Sequence, residues 1–343
     1  MTEITEQDQR AKISSFLSGF KATHLLHIGS KLGILQVLND AGGGLTTAEI
    51  SAKLALYEPY VKIWCQTAYH FEIVECDDQT RFSFQPFLNG IIGNDLTPMN
   101  MLGAFDLAIN VTGERLRNSI DCYRTGKVMD DYSPERSRIV AKTTKDVPPA
   151  LISIISSMPE FDSIKQSLSE GCRFLDIGCG AGEVIIQLAQ SFPKSTFTGV
   201  DPVSHGIAIG TERVSALGLE NRVSLKQMGG EEISFINEIQ VVGMVLTLHE
   251  FPPDIRFTIV EKAYQALTNT GKLLIFDFSY PESIIDFRDP SNTPAVIDQF
   301  DETALGINHL TDKEVDEMFT NIGFVEIQRP LRLPGFVIIT ASK

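Results

Sequence analysis

Two acids and three glycines fall within one short stretch, residues 173–183, RFLDIGCGAGE. Its apolar start reads as a buried strand. Gly178, Gly180 and Gly182 read as a tight turn, and residues 184–192 as the helix that follows. Glycines at alternate positions permit a sharp turn and leave no Cβ between the backbone and a ligand, and the helix start presents free N–H groups to it. A second apolar strand, 196–200, ends in Asp201, 23 residues beyond Gly178. That is the spacing at which a nucleotide-binding α/β unit holds ribose hydroxyls on a carboxylate. The pyrophosphate fingerprint G-x-G-x-x-G is not met, because the glycine spacing is G-x-G-x-G and Glu183 stands where the third glycine belongs. With Asp176 in the same turn, two acids repel a pyrophosphate and suit a cationic ligand.

A second group, His249-Glu250-Phe251, follows an apolar strand at 240–246. Residues just past the C-terminal end of a parallel strand line the ligand crevice. An alcohol or phenol loses its proton as it attacks a carbon, and imidazole titrates near neutrality, so His249 is a candidate general base with Glu250 beside it. The alternative is a histidine that only orients a cap or a loop. Tyr280 follows the strand 271–278 towards the same crevice. The end of strand 240–246 carries no cluster of acids of the kind a magnesium site needs, so no metal is expected.

A third group lies upstream. Residues 113–145 carry eight bases and five acids, a net +3 within a chain of net charge −15. One reading is a solvated helical face laced with ion pairs. The other is a roof over the active site whose arginines hold an anionic substrate, such as a carboxylate. Tyr123, Arg124 and Tyr132, in its most loop-like parts, are the candidates for substrate contact, with Phe251 and Tyr280 from the crevice side.

The elements that position these groups divide the 343 residues into a module at 1–98, a helical segment at 99–170 and an α/β domain at 171–343. The first begins with apolar residues at helical spacing over 11–39, continues with a capping box at Thr46 and Glu49, a short helix to Leu54 and a helix over 57–71, and closes with a hairpin over 73–84. Helix, short helix, helix, hairpin is the pattern of a winged helix. It carries seven bases and eleven acids, which argues against DNA, where phosphate contacts dominate affinity. Its helices hold more apolar surface than so small a module can bury, so a homodimer is expected. The chain is too acidic to seek nucleic acid or anionic membrane. Its N-terminus is polar with no signal-like apolar core, and its apolar runs are too short to span a bilayer. Five cysteines without a C-x-x-C pair suit a reducing cytoplasm better than zinc or disulfides.

At the glycine loop and Asp201 the chain resembles the class I S-adenosylmethionine (SAM)-dependent methyltransferases, and its layout resembles the small-molecule methyltransferases with an N-terminal winged-helix dimerisation domain; residues 26–34, LHIGSKLGI, look like that group's opening helix. The resemblance implies a Rossmann-like seven-stranded α/β domain with an antiparallel last strand. It implies SAM as cofactor and S-adenosylhomocysteine as product. Gly178, Gly180 and Gly182 would hold the methionyl end, Asp176 the ammonium and Asp201 the ribose. The family places an acid near the adenine after the third strand, 223–227. Here that position is Gly230, and Glu231 comes one residue late. Related O-methyltransferases use a histidine at the place of His249 as base. Methyl transfer to oxygen is therefore the leading expectation. A thioether needs no base, so S-methylation of a small thioether carboxylic acid stands as the alternative. A SAM-binding or DNA-binding regulator is the third reading.

Overall fold

The computed structural model describes residues 4–77, 80–94, 100–129 and 133–343. The chain forms two compact units, residues 1–114 and 115–343. The segment expected as a separate piece at 99–170 is thus shared: its first part is continuous with the N-terminal unit and the remainder with the C-terminal one.

In the first unit, α1 (Glu6–Lys31) starts earlier than apolar spacing suggests. Thr5 accepts the Asp8 N–H and the Asp8 carboxylate accepts the Thr5 N–H, a reciprocal cap that extends the helix through a polar stretch. Then come α2 (Ile34–Ala41), α3 (Thr47–Leu54), α4 (Glu58–His70) and a hairpin of β1 (Val74–Asp77) with β2 (Arg81–Phe84). The capping box read at Thr46 and Glu49 is present at the start of α3. Leu35, Ile50, Cys65 and Val74 are buried together, and the Trp64 indole donates to the Leu25 carbonyl at 2.9 Å. Short helices α5 (Leu88–Ile92) and α6 (Leu102–Leu107) follow. On α1, Ile13, Phe16, Leu17 and Phe20 are between 58% and 66% exposed.

The chain passes into the second unit within α7 (Gly113–Asn118), then runs through α8 (Ile120–Thr125), α9 (Pro134–Thr143), α10 (Val147–Ser157) and α11 (Asp162–Glu170). The α/β part alternates β3 (Arg173–Ile177), α12 (Glu183–Ser191), β4 (Thr196–Asp201), α13 (Ser204–Ala216), β5 (Val223–Gln227), β6 (Ile239–Val245), α14 (Pro253–Ala266) and β7 (Leu267–Phe278). After α15 (Thr293–Glu302) and α16 (Asp312–Ile322) it ends in β8 (Val325–Leu333) and β9 (Phe336–Ser342). The sheet order is β5-β4-β3-β6-β7-β9-β8. The β3, β4, β5, β6 and β7 pairings are parallel, and β9 is antiparallel to both its neighbours. This is the seven-stranded sheet with reversed last strand that the sequence implied.

The inner strands β3, β4, β6 and β9 are mostly buried because helices cover both faces of the sheet, whereas the edge strands β5 and β8 are largely exposed. One face packs with α14 and α16 around Val260 and Phe319, the other with α10, α11 and α12 around Ile155 and Ile185. Among the described residues no helix is long and apolar enough to cross a membrane. Phe174 lies 1% exposed in this second layer, against Gly243, where an added Cβ would stand 2.6 Å from its Cζ. Phe174→Ala should therefore empty a rigid, fully lined space and cost about 3–5 kcal/mol, read as a fall in the urea midpoint; a loss below about 1 kcal/mol would mean that the surrounding side chains collapse into the gap.

Candidate functional site

Strand order reverses between β3 and β6, and their C-terminal ends open the crevice where α/β sheets bind ligands. The glycine loop leaves β3 there. Gly178, Gly180 and Gly182 have φ of +74°, +52° and +71°, left-handed values that cost L side chains energy. Space excludes a side chain as well: a Cβ on Gly178 would lie 1.9 Å from Thr247 Oγ1, and one on Gly182 3.1 Å from Leu225, while Gly180 faces open space. The Gly178 and Cys179 N–H groups donate to the Val200 carbonyl at 2.9 and 3.1 Å. Asp201 closes the turn, accepting from the Gly180 N–H and the Val203 N–H at 2.8 Å each.

The loop forms one wall of a cleft that also takes in Asp176, Glu183, Val203, Leu246 and Glu250, with Arg136, Val140 and Val147 from α9 and α10. Asp176 is 1% exposed and Asp201 9%. Burial, then the charge of Asp201, pushes the Asp176 carboxyl up to about 8, and its Oδ2 has no hydrogen-bond partner. Burial also raises Asp201, against the two backbone N–H groups it accepts. The crevice thus carries two buried acids, and among the described residues no ion pair to either is seen.

His249 stands behind the cleft rather than on it: it is 5% exposed. Its Nδ1 meets Asp277 Oδ1 at 2.5 Å, its N–H donates to Asp277 Oδ2 at 3.2 Å, and its Nε2 lies 3.5 Å from Glu302. Burial opposes charge on the ring, but Asp277, then Glu250 and Glu302, raise its pKa to about 10. Glu250 keeps exposed surface and lines the cleft; burial of its carboxyl and then the charge of Glu302 raise its pKa.

The remaining expected residues are scattered. Phe251 is 8% exposed and belongs to the α14 core, so it does not reach the crevice. Gly230 is a packing glycine whose Cβ would meet Ile259 at 2.6 Å, and Glu231 is exposed beside it; neither lines the cleft. Tyr123 is 60% exposed and Arg124 pairs with Asp121 at 3.0 Å on the outer face of α8. Tyr132 lies outside the described residues. Tyr280 is half-buried, with its ring against Phe287 and His309. Of the expected basic roof, Arg136 lines the cleft, whereas Arg115 is buried 3.2 Å from Asp301 and 4.0 Å from Glu302.

Sequence reasoning missed Asp277, Glu302 and His309. Asp277 had a readable signal, a lone acid inside the apolar run LLIFDF. Glu302 and His309 come from the segment after β7, whose helix α15 returns to the end of β6. The expectation that no cluster of metal-ligating groups forms at this strand end considered the strand end alone; Asp298, Glu302 and His309 are brought to His249 from this later segment.

The Asp277 contact generates a pH prediction. A pKa held at about 10 keeps His249 protonated at neutral pH. Asp277→Asn removes the carboxylate that outweighs burial, so the ring pKa should fall by about 1–3 pH units. Proton titration of the histidine ring signals by NMR would read this; an unmoved His249 titration would show that Asp277 does not set it.

The family model of a methyltransferase domain matches residues 174–271. Over 132 residues the chain is 30% identical to the ribosomal RNA small subunit methyltransferase G of Parabacteroides distasonis, covering 38% of this chain and 56% of that protein; it spans about half the length of that curated relative. A putative O-methyltransferase from Nostoc punctiforme superposes with a TM-score of 0.78 at 17% identity, covering 97% of this chain and 98% of its own. Human N-acetylserotonin methyltransferase, solved in complex with SAM, gives 0.77 at 15% identity, covering 100% and 99%. The chain shares the fold of these solved methyltransferases, and the methyltransferase-domain match lies within its α/β part.

Proposed function

We propose that this chain is a SAM-dependent methyltransferase that acts on a small molecule, with oxygen as the accepting atom. The observation that carries the reading is the buried, unpartnered Asp176 Oδ2 facing the glycine-loop cleft. A cationic ligand offers the counter-charge this carboxyl lacks, and SAM carries an ammonium and a sulfonium. The residues fit it: the Gly180 position is open for close approach, and Asp201 is held at the end of β4 by two backbone N–H groups, leaving unused lone pairs for ribose hydroxyls.

When bound, SAM supplies an electrophilic methyl carbon on a good leaving group. The protein's part is then positioning and exclusion of water, where effective molarities in well-oriented systems reach about 10⁵–10⁸ M. Glu250 lines the cleft, and His249 stands next to it, oriented by Asp277. This pair receives the acceptor's proton, with His249 as base in its neutral form; its raised pKa makes that form the minor one at neutral pH, so turnover with hydroxyl acceptors rises with pH. Arg136 on the cleft wall supports an anionic acceptor.

A second reading has a specific observation in its favour. His249 is buried and committed to Asp277 and Glu302, and a thioether acceptor needs no base. S-methylation of a small thioether carboxylic acid would leave His249 a structural group.

Purified protein and SAM offered to phenols, hydroxy acids and thioether acids, with S-adenosylhomocysteine measured, should give product, and Asp201→Ala should abolish SAM binding by calorimetry. Product from hydroxyl acceptors supports the oxygen reading, product from thioether acids alone supports the second, and unchanged SAM affinity in the variant would sink the cofactor assignment.

We also propose that the N-terminal unit is a winged-helix dimerisation module. The large apolar side chains exposed along α1, Ile13, Phe16, Leu17, Phe20 and Ile28, support this, since apolar surface of this kind marks association sites. Light scattering should give about twice the 37.9 kDa chain mass; a monomer mass would remove that role.

A further inference from the structure

Four donor groups converge at one buried point behind the cleft. Asp298 and Glu302 are one helical turn apart on α15, so both carboxylates leave the same face. His309 arrives from the loop that follows, and His249 from the end of β6. Their donor atoms all lie within 4.8 Å of one another. His309 Nε2 is 3.1 Å from Asp298 Oδ2 and 4.0 Å from Glu302 Oε2, and Glu302 Oε2 is 3.5 Å from His249 Nε2. We infer that His249, Asp298, Glu302 and His309 form a binding site for a divalent transition-metal ion of the zinc class, beyond anything methyl transfer requires.

Separations of 3.1, 3.5 and 4.0 Å bracket what such an ion sets, and the widest pair, within 4.8 Å, must draw in on binding. Tetrahedral zinc with bonds of about 2.0–2.2 Å separates its ligand atoms by about 3.3–3.6 Å. Two imidazoles and two carboxylates are a borderline donor set that favours zinc and its neighbours over magnesium or calcium, and the two carboxylates balance the charge of a divalent ion.

A plain pair of ion pairs is the competing account, and the polar atoms count against it. His309 is 4% exposed, and both of its ring nitrogens, with Asp298 Oδ2 and Glu302 Oε2, lack an aligned hydrogen bond. Buried polar atoms are almost always partnered. His309 Nε2, Asp298 Oδ2 and Glu302 Oε2, from three side chains, lie close together without aligned hydrogen bonds. An ion between them would satisfy these three atoms, while His309 Nδ1 lies on the far side of the ring.

The surroundings are those of a built site. Asp277 on His249 Nδ1 leaves Nε2 as the donor nitrogen, the outer carboxylate that metal-binding histidines characteristically carry. The Gln299 amide donates to the Ile307 carbonyl at 3.0 Å and its oxygen accepts from the His309 N–H. The Arg256 guanidinium donates to the His249 and Asn308 carbonyls, both at 2.8 Å. One side chain thus ties together the two segments that carry the histidines.

Four protein ligands make a closed site, the structural rather than the catalytic kind. It would pin α15 and the loop after it to the end of β6. It would also occupy the Nε2 lone pair, so an ion and an acceptor's proton exclude each other on His249.

The test uses the full-length, tag-free chain stripped with chelator, without SAM or acceptor, so that it does not depend on methyl transfer. Cobalt(II), whose visible d–d bands report tetrahedral coordination, is titrated in, and zinc is then added in competition. The expected result is one equivalent bound, tetrahedral cobalt bands lost on adding zinc, and a raised thermal midpoint. Asp298→Asn and Glu302→Gln, near-isosteric changes checked by circular dichroism, should each weaken binding at least about tenfold. No bands and no thermal shift in the wild type would overturn the site, as would binding that neither variant weakens. In turnover assays, zinc should inhibit transfer to hydroxyl acceptors reversibly, and chelator should restore it.

Discussion

Two carboxylates buried at the ends of neighbouring parallel strands set the terms for the rest of this structure. Asp176 and Asp201 lie on β3 and β4, which pair in register, and little solvent reaches either. Low local polarity makes an unpaired charge expensive. Asp201 offsets part of that cost by accepting two backbone N–H groups, though burial still raises its pKa, and in doing so it fixes the glycine turn. Asp176 has no such help, and its carboxyl rises to about 8. A fold selected for stability alone would fill the Asp176 position with an apolar residue. Its retention beside an open, glycine-lined space is the physical sense in which the crevice is made for a cation.

Most of the α/β architecture was legible in the sequence because the inner strands are short apolar runs, β3 closed by Gly178 and β4 by Asp201. β3, β4 and the loop between them needed only local chemistry: φ values above zero demand glycine, and Gly178 has no room for a Cβ. The capping box at Thr46 likewise read directly, since its bonds close within four residues. The early start of α1 was less visible, because Thr5 and Asp8 precede the apolar pattern that marks a helix. β7 begins at Leu267 rather than at Gly271 because Leu267 pairs with Ile239 across a register shift, and nothing in the local sequence announces a bulge.

The site was legible only where its residues are local. Phe251 and Gly230 were read as ligand contacts from their positions past strand ends, but tertiary packing decided otherwise: Phe251 turns into the α14 core, and Gly230 is a glycine because Ile259 and Ile177 crowd it. The bases of the charge run at 113–145 go to different surroundings. Arg136 lines the cleft, Arg124 is a solvated helix-face residue with an i,i+3 partner, and Arg115 is buried against Asp301. Composition gives the sum of such a segment and not the direction in which each side chain leaves its helix.

The histidine at the end of β6 illustrates a constraint that applies to any buried imidazole with two acidic neighbours. Its Nδ1 is committed to Asp277, so every function it can have passes through Nε2. That nitrogen has one lone pair, which can take a proton from an acceptor, share a proton with Glu302, or bind an ion, but only one of these at a time. Which of them prevails depends on where α15 and the loop after it stand, since Glu302 and His309 both belong to that segment. The segment is held by Gln299 within itself and by Arg256 to the backbone of His249, so its position and that of the imidazole are mechanically coupled. Any ligand that moves α15 away from the end of β6 changes what His249 can do without touching it.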